Sequence, residues 1–85
     1  MDRIRVGQEQ IESALGIMLA ARGLKLETPL EWIDDPGNNT FKIQARIGGR
    51  DCQWRLIRDA VENYVSDLNV RHSVDFILQS YFIPR

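Results

Sequence analysis

A thiolate nucleophile needs a base within hydrogen-bond reach, and this chain offers one of each, Cys52 and His72. Neither sits where that chemistry would need it. Cys52 falls on the apolar side of an alternating stretch, where burial raises a thiol pKa and makes it inert. His72 lies in a polar link between two helical patterns, and its simplest role is a solvated loop residue. There is no second histidine or cysteine to complete a typical transition-metal site.

The carboxylates fare no better. Asp34 and Asp35, with Asn38 and Asn39, offer oxygens to a hard cation, but the spacing lacks the calcium-loop pattern and its closing Glu. Asp34-Asp35-Pro36-Gly37-Asn38-Asn39 reads instead as the strongest turn signal in the chain. Glu27 and Glu31 would pair as acids only on a helix, against Pro29. Gly48-Gly49 lacks the further glycines and the Lys-Ser/Thr pair of a phosphate-cradling loop. The expectation is a protein that is not an enzyme, with no metal and no cofactor.

One polar constellation carries a binding chemistry. Lys42, Arg46 and Arg55, with Arg50 at a turn, form a basic strip beside Gln44 and Gln53 that would hold phosphates. Asp51 interrupts the strip, no exposed aromatic stands beside it to stack a base, and the formal net charge is −1. Nucleic-acid binding is therefore the alternative reading.

The element that positions these residues runs from Phe41 to Leu56. Apolar and polar residues alternate on both sides of Gly48-Gly49, the pattern of two half-buried strands joined by a tight turn. A two-residue turn sets the register: Ala45 opposes Cys52, Ile43 opposes Trp54 and Phe41 opposes Leu56 on one apolar face. Lys42 opposite Arg55, Gln44 opposite Gln53 and Arg46 opposite Asp51 make the wet face. The competing pattern is a helix starting near Asp51, through Trp54, Ile57, Val61, Val65 and Leu68.

Gln8 to Arg22 has the period of an amphipathic helix, ended by Gly23. Its apolar residues, including Ile11, Leu15, Ile17 and Leu19, spread over roughly 200°, wider than one packing surface requires. Ser13, Gly16 and Ala20 lie opposite as small residues open to close approach, and a glycine inside a helix costs about 1 kcal/mol relative to Ala. Leu24 to Ile33, broken by Thr28-Pro29, gives an edge strand or two short pieces.

After the hairpin, Asp59-Ala60-Val61-Glu62 has the form of a capping box. Val61, Tyr64, Val65 and Leu68 would be the buried side of a short helix. Asn69 to His72 breaks the pattern and Ser73 caps a second segment carrying Val74, Ile77, Leu78 and Tyr81, whose β-branched and aromatic content would also suit a strand. Tyr81-Phe82-Ile83 must dock on the domain or on a partner.

The resulting expectation is a single α+β domain over residues 1–85: an N-terminal helix, a three-stranded antiparallel meander, and one or two C-terminal helices. That order is similar to the order in double-stranded RNA-binding domains, but the lysine-rich start of their second helix is missing, since Arg58-Asp59-Ala60-Val61-Glu62 stands there. The lone cysteine fits a reducing, cytoplasmic compartment, and the apolar run from Ala14 to Ala21 is too short to span a bilayer. The expected action is protein–protein contact, self-association into a homodimer first, through Ser13, Gly16, Ala20, Tyr81 and Phe82.

Overall fold

Gly48 and Gly49 take φ values of 58° and 78°, the left-handed region that a two-residue hairpin turn demands. The computed structural model describes residues 2–83, and in it this turn joins β2 (Thr40–Ile47) to β3 (Arg50–Ile57). Every expected pair is present, from Arg46 opposite Asp51 to Phe41 opposite Leu56. Residues 51–57 are therefore strand, because cross-strand pairing outweighs the helical spacing that the same residues also carry.

The third strand, β1 (Glu31–Asp35), pairs antiparallel with β2, placing Trp32 beside Ile43 and Ile33 beside Lys42. The segment before it is the shorter of two pieces: Leu26 forms one bridge to Ile47, the Glu27 N–H donates to the Arg46 carbonyl (3.0 Å), and Thr28-Pro29 interrupts. A 3-10 turn at Pro36–Asn38 and a left-handed Asn39 (φ 53°) return the chain to β2. The sheet order is β1-β2-β3, so β1 and β3 are both edges.

Three helices, α1 (Arg3–Ala20), α2 (Arg58–Asn63) and α3 (Leu68–Tyr81), complete the α+β domain. α1 starts five residues earlier than its apolar periodicity indicates, because the Asp2 carboxylate caps it, accepting from the N–H groups of Ile4 and Arg5. It ends as expected at Gly23 (φ 70°), where the Leu24 N–H donates to the Leu19 carbonyl and the Gly23 N–H to that of Ala20. Ile11, Leu15 and Leu19 of α1 join Phe41, Ile43, Ala45 and Ile47 of β2, Leu56 of β3 and the inner faces of α2 and α3 in one core.

Four local expectations change. Asp59 forms no capping box: α2 starts at Arg58, directly after β3, with Ile57 as an N-cap that makes no side-chain bond. Asn69 to His72 does not interrupt a helix, since Asp67 caps α3 ahead of them, accepting from the N–H groups of Asn69 and Val70. Ser73 is thus an interior residue, and 73–81 is helix rather than strand because Val74 and Leu78 bury one face. Val65 and Leu68 are exposed rather than buried, for α2 stops at Asn63 and the chain turns before them.

Glycine placement also differs. A Cβ on Gly16 would meet nothing within 4 Å, so packing inside the domain does not require that glycine. At Gly7, by contrast, a Cβ would lie 1.9 Å from the Val61 carbonyl oxygen, and this glycine is what lets α1 and α2 cross so closely. Gly7→Ala should cost about 1–3 kcal/mol through overpacking, whereas Gly16→Ala should gain up to about 1 kcal/mol of helix propensity. Urea midpoints that move in opposite directions would bear this out; equal shifts would refute it.

Tyr64 ties the helices together, its buried hydroxyl donating to Asp75 Oδ1 at 2.6 Å. Burial, and then that hydrogen bond, hold the phenol well above its ordinary range. The folded pKa lies above the unfolded one of about 10, so this stabilisation is complete below pH 10 and is lost as pH rises through the folded value. Tyr64→Phe should lower stability at pH 7 by about 1.5–3 kcal/mol and blunt the alkaline decline. Superimposable alkaline unfolding curves would count against it.

Candidate functional site

The sheet parity sorts the chemistry-bearing side chains. Cys52 lies half-buried on the inner face, its thiol 3.9 Å from the Arg50 carbonyl oxygen, while His72 stands exposed on α3. No hydrogen bond joins them. Burial pushes the Cys52 thiol up, with the Arg50 charge opposing and Asp51 reinforcing the shift, the reverse of what a nucleophile requires. Among the described residues no group of three or more His, Cys, Asp or Glu side chains is placed to hold a metal ion.

Each of the four carboxylates weighed for metal or acid chemistry has a structural partner. Glu27 clasps the hairpin, accepting from the Gly49 N–H (3.1 Å) and pairing with Arg46 (3.3 Å). Glu31 accepts from Gln44 at 2.9 Å. Asp34 pairs with Arg58, whose guanidinium also covers the Phe41 ring at 4.4 Å. Asp35 accepts from Asn38 and from Arg55, each at 2.8 Å, and these bonds hold its carboxyl below the usual range.

Those contacts change the basic strip. Lys42, Arg46 and Arg55 do share the outer face, as the register requires, but Arg46 sits between Glu27 and Asp51 and Arg55 against Asp35. Lys42 on the sheet and Arg50 at the turn make no ion pair among the described residues. The face is a lattice of both signs, and a phosphate would have to displace carboxylates to bind the two arginines.

The apolar surface is more concentrated. On α1, Ser13 and Ala20 are exposed and Gly16 half-buried, around Ile17, which is 70% exposed. A shallow groove lined by Ser13, Ala14, Ile17, Tyr64 and Arg71 runs beside them. Phe82 and Ile83 are buried in the domain's own core, so Phe82 offers no partner surface. Tyr81 stays half-exposed, stacked flat on Trp54 with ring centroids 3.7 Å apart and planes 9° from parallel.

That stack borders a larger groove of about 460 Å³ between β3 and α3, lined by Trp54, Leu56, Ala60, Val70, Val74 and Ile77. Ile57, 60% exposed, is on its rim, and Phe76, 69% exposed, projects from the same helix. Of this flank, sequence reading named only Tyr81. Trp54 was legible only as an inward residue, and the break in alternation at Ile57 was the one available signal. Comparison with protein-family models, curated proteins and solved structures finds no match for this chain. No helix among the described residues is long and apolar enough to cross a membrane.

The thiol should behave as a packing residue. Alkylation of Cys52 by iodoacetamide at pH 8 is expected to run slower than that of free cysteine, and to regain the ordinary rate in denaturant. Faster reaction in the folded protein would restore Cys52 as a candidate nucleophile.

Proposed function

We propose that this domain works by protein–protein contact, with a second copy of itself as the first partner and a different protein as the next. The observation that carries this reading is the clustering of exposed large apolar side chains. Trp54, Ile57 and Tyr81 gather along the β3–α3 flank and Ile17 stands among small residues on α1, whereas scattered single exposures are ordinary. Aromatic residues in such a patch are the usual energetic centre of an interface.

The second reading, a regulatory module that binds nucleic acid through Lys42, Arg46, Arg50 and Arg55, draws support from Lys42 and Arg50, which make no ion pair among the described residues. It predicts binding that falls steeply with salt. Charge reversal at Arg46 and Arg55 without loss of retention on nucleic acid would remove it.

Light scattering separates the two. Contact function predicts a concentration-dependent mass approaching twice the 9.8 kDa of one chain. Because a Cβ added at Gly16 meets nothing within 4 Å, Gly16→Gln should keep the fold and report on the α1 surface alone, weakening association if that surface takes part. A mass of one chain at all concentrations, together with salt-sensitive nucleic-acid binding, would favour the second reading.

A further inference from the structure

The two edges of the sheet are not alike. β1 has five residues, stands between Pro29 and Pro36, and has Asp34 held by Arg58. Brevity and flanking prolines discourage a further strand. β3 has eight residues in unbroken register with β2 and contains no proline, lysine or bulge.

The register decides which backbone groups that edge leaves open. Pairs flanking a two-residue turn alternate between hydrogen-bonded and non-hydrogen-bonded, beginning with the bonded closing pair, here Ile47 and Arg50. Arg46 accordingly points its backbone toward β1, as the Glu27 N–H to Arg46 carbonyl bond shows. On β3 the same alternation turns the N–H and C=O groups of Asp51, Gln53 and Arg55 outward, while Ile57, the N-cap of α2, gives its carbonyl to the first turn of that helix. No described group outside the sheet bonds those of Asp51, Gln53 or Arg55.

We propose that the free edge of β3 pairs antiparallel with the β3 edge of a second copy, with the two-fold axis passing through Gln53. The inference rests on the contact function above and names its partner and geometry. An axis between two residues would set outward groups against inward ones, so the axis must lie on a residue. With the axis at Gln53, Asp51 stands opposite the partner's Arg55 and Arg55 opposite the partner's Asp51, while the two Gln53 amides face each other. Moving it to Trp54 puts Asp51 opposite Ile57, and moving it to Cys52 puts Asp51 opposite Gln53. Both alternatives lose the two charge pairs, and opposite charges directly across strands are stabilising.

The same axis accounts for the half-exposed aromatic stack. On the inner face Trp54 comes opposite Cys52, so the two Trp54 rings lie on a diagonal of about 7–8 Å, within reach of aromatic side chains. Each keeps its own Tyr81 behind it. At the ends, the partner's Ile57 arrives opposite Gly49, where an added Cβ would meet nothing within 4 Å. The new charge pairs extend rows already present, Arg46 with Asp51 and Asp35 with Arg55.

Gln53→Pro provides the main test, because its N–H faces away from β2 and the substitution removes no bond within the domain. The wild type should show the mass of two chains and Gln53→Pro that of one, with unchanged circular dichroism. Independently of that variant's folding, Gln53→Cys in a Cys52→Ser background should form a disulfide-linked dimer under oxidised glutathione, since facing Cα atoms in a bonded pair are about 5.5 Å apart. Arg50→Cys in the same background should not, its counterpart lying roughly 20 Å along the strand. Asp51→Arg should weaken association by about tenfold and Arg55→Asp added to it should restore it. A dimer indifferent to Gln53→Pro but lost in Gly16→Gln would overturn this interface and leave the contact function standing. A single-chain mass up to millimolar concentration would overturn self-association altogether.

Discussion

The two-residue turn at Gly48-Gly49 is the constraint on which the rest of the domain depends. It admits one register between β2 and β3, and a side-chain period of two then assigns every residue from Thr40 to Ile57 to a face. Phe41, Ile43, Ala45 and Leu56 go inward to meet Ile11, Leu15 and Leu19 of α1. Lys42, Gln44, Arg46, Asp51, Gln53 and Arg55 go outward. Glu27, far away in sequence, fastens the turn by accepting the Gly49 N–H and holding Arg46. The same parity dictates which backbone groups face the free edge, so one local geometry sets core, surface and open edge together.

Charge pairing governs what the outer face can do. Arg46 and Arg55 are each engaged by carboxylates, and Arg58 is divided between Asp34 and the Phe41 ring. Exposed ion pairs of this kind contribute little to stability. Their effect is to balance the local field, which makes the face a poor electrostatic trap for phosphate and a good template for a neighbouring surface with the same alternation of signs. Three of the acids that a catalytic reading would recruit, Glu27, Asp34 and Asp35, are the groups that neutralise the arginines.

The helix layer explains why the apolar surface lies where it does. α2 begins without a loop at the end of β3, so α2 and α3 return alongside that strand and leave a groove between them. Tyr81, at the end of α3, meets Trp54 there, and the pair remains half-exposed because no element covers the outer side of β3. Gly7 supports this arrangement from beneath, by letting α1 approach the Val61 carbonyl.

Local pattern was enough for the hairpin register, the stop of α1 at Gly23, the turn before β2 and the α+β class, because each depends on periodicity or on a backbone angle that few residues adopt. It was also enough to set Cys52 on the inner face. Contacts between distant residues decided the rest. Asp67 took the cap that Ser73 had the right spacing to supply, α2 formed without the side-chain cap expected from Asp59, Asp2 capped α1 ahead of its apolar period, and Gly7 rather than Gly16 proved to be the glycine at a close helix crossing. The basic strip was legible as cations, but its neutralisation by Glu27 and Asp35 was not, since those carboxylates reach it from other segments. Sequence alone determined which residues share a face. Only the tertiary structure decided which faces are covered, because burial depends on what the rest of the chain brings against them.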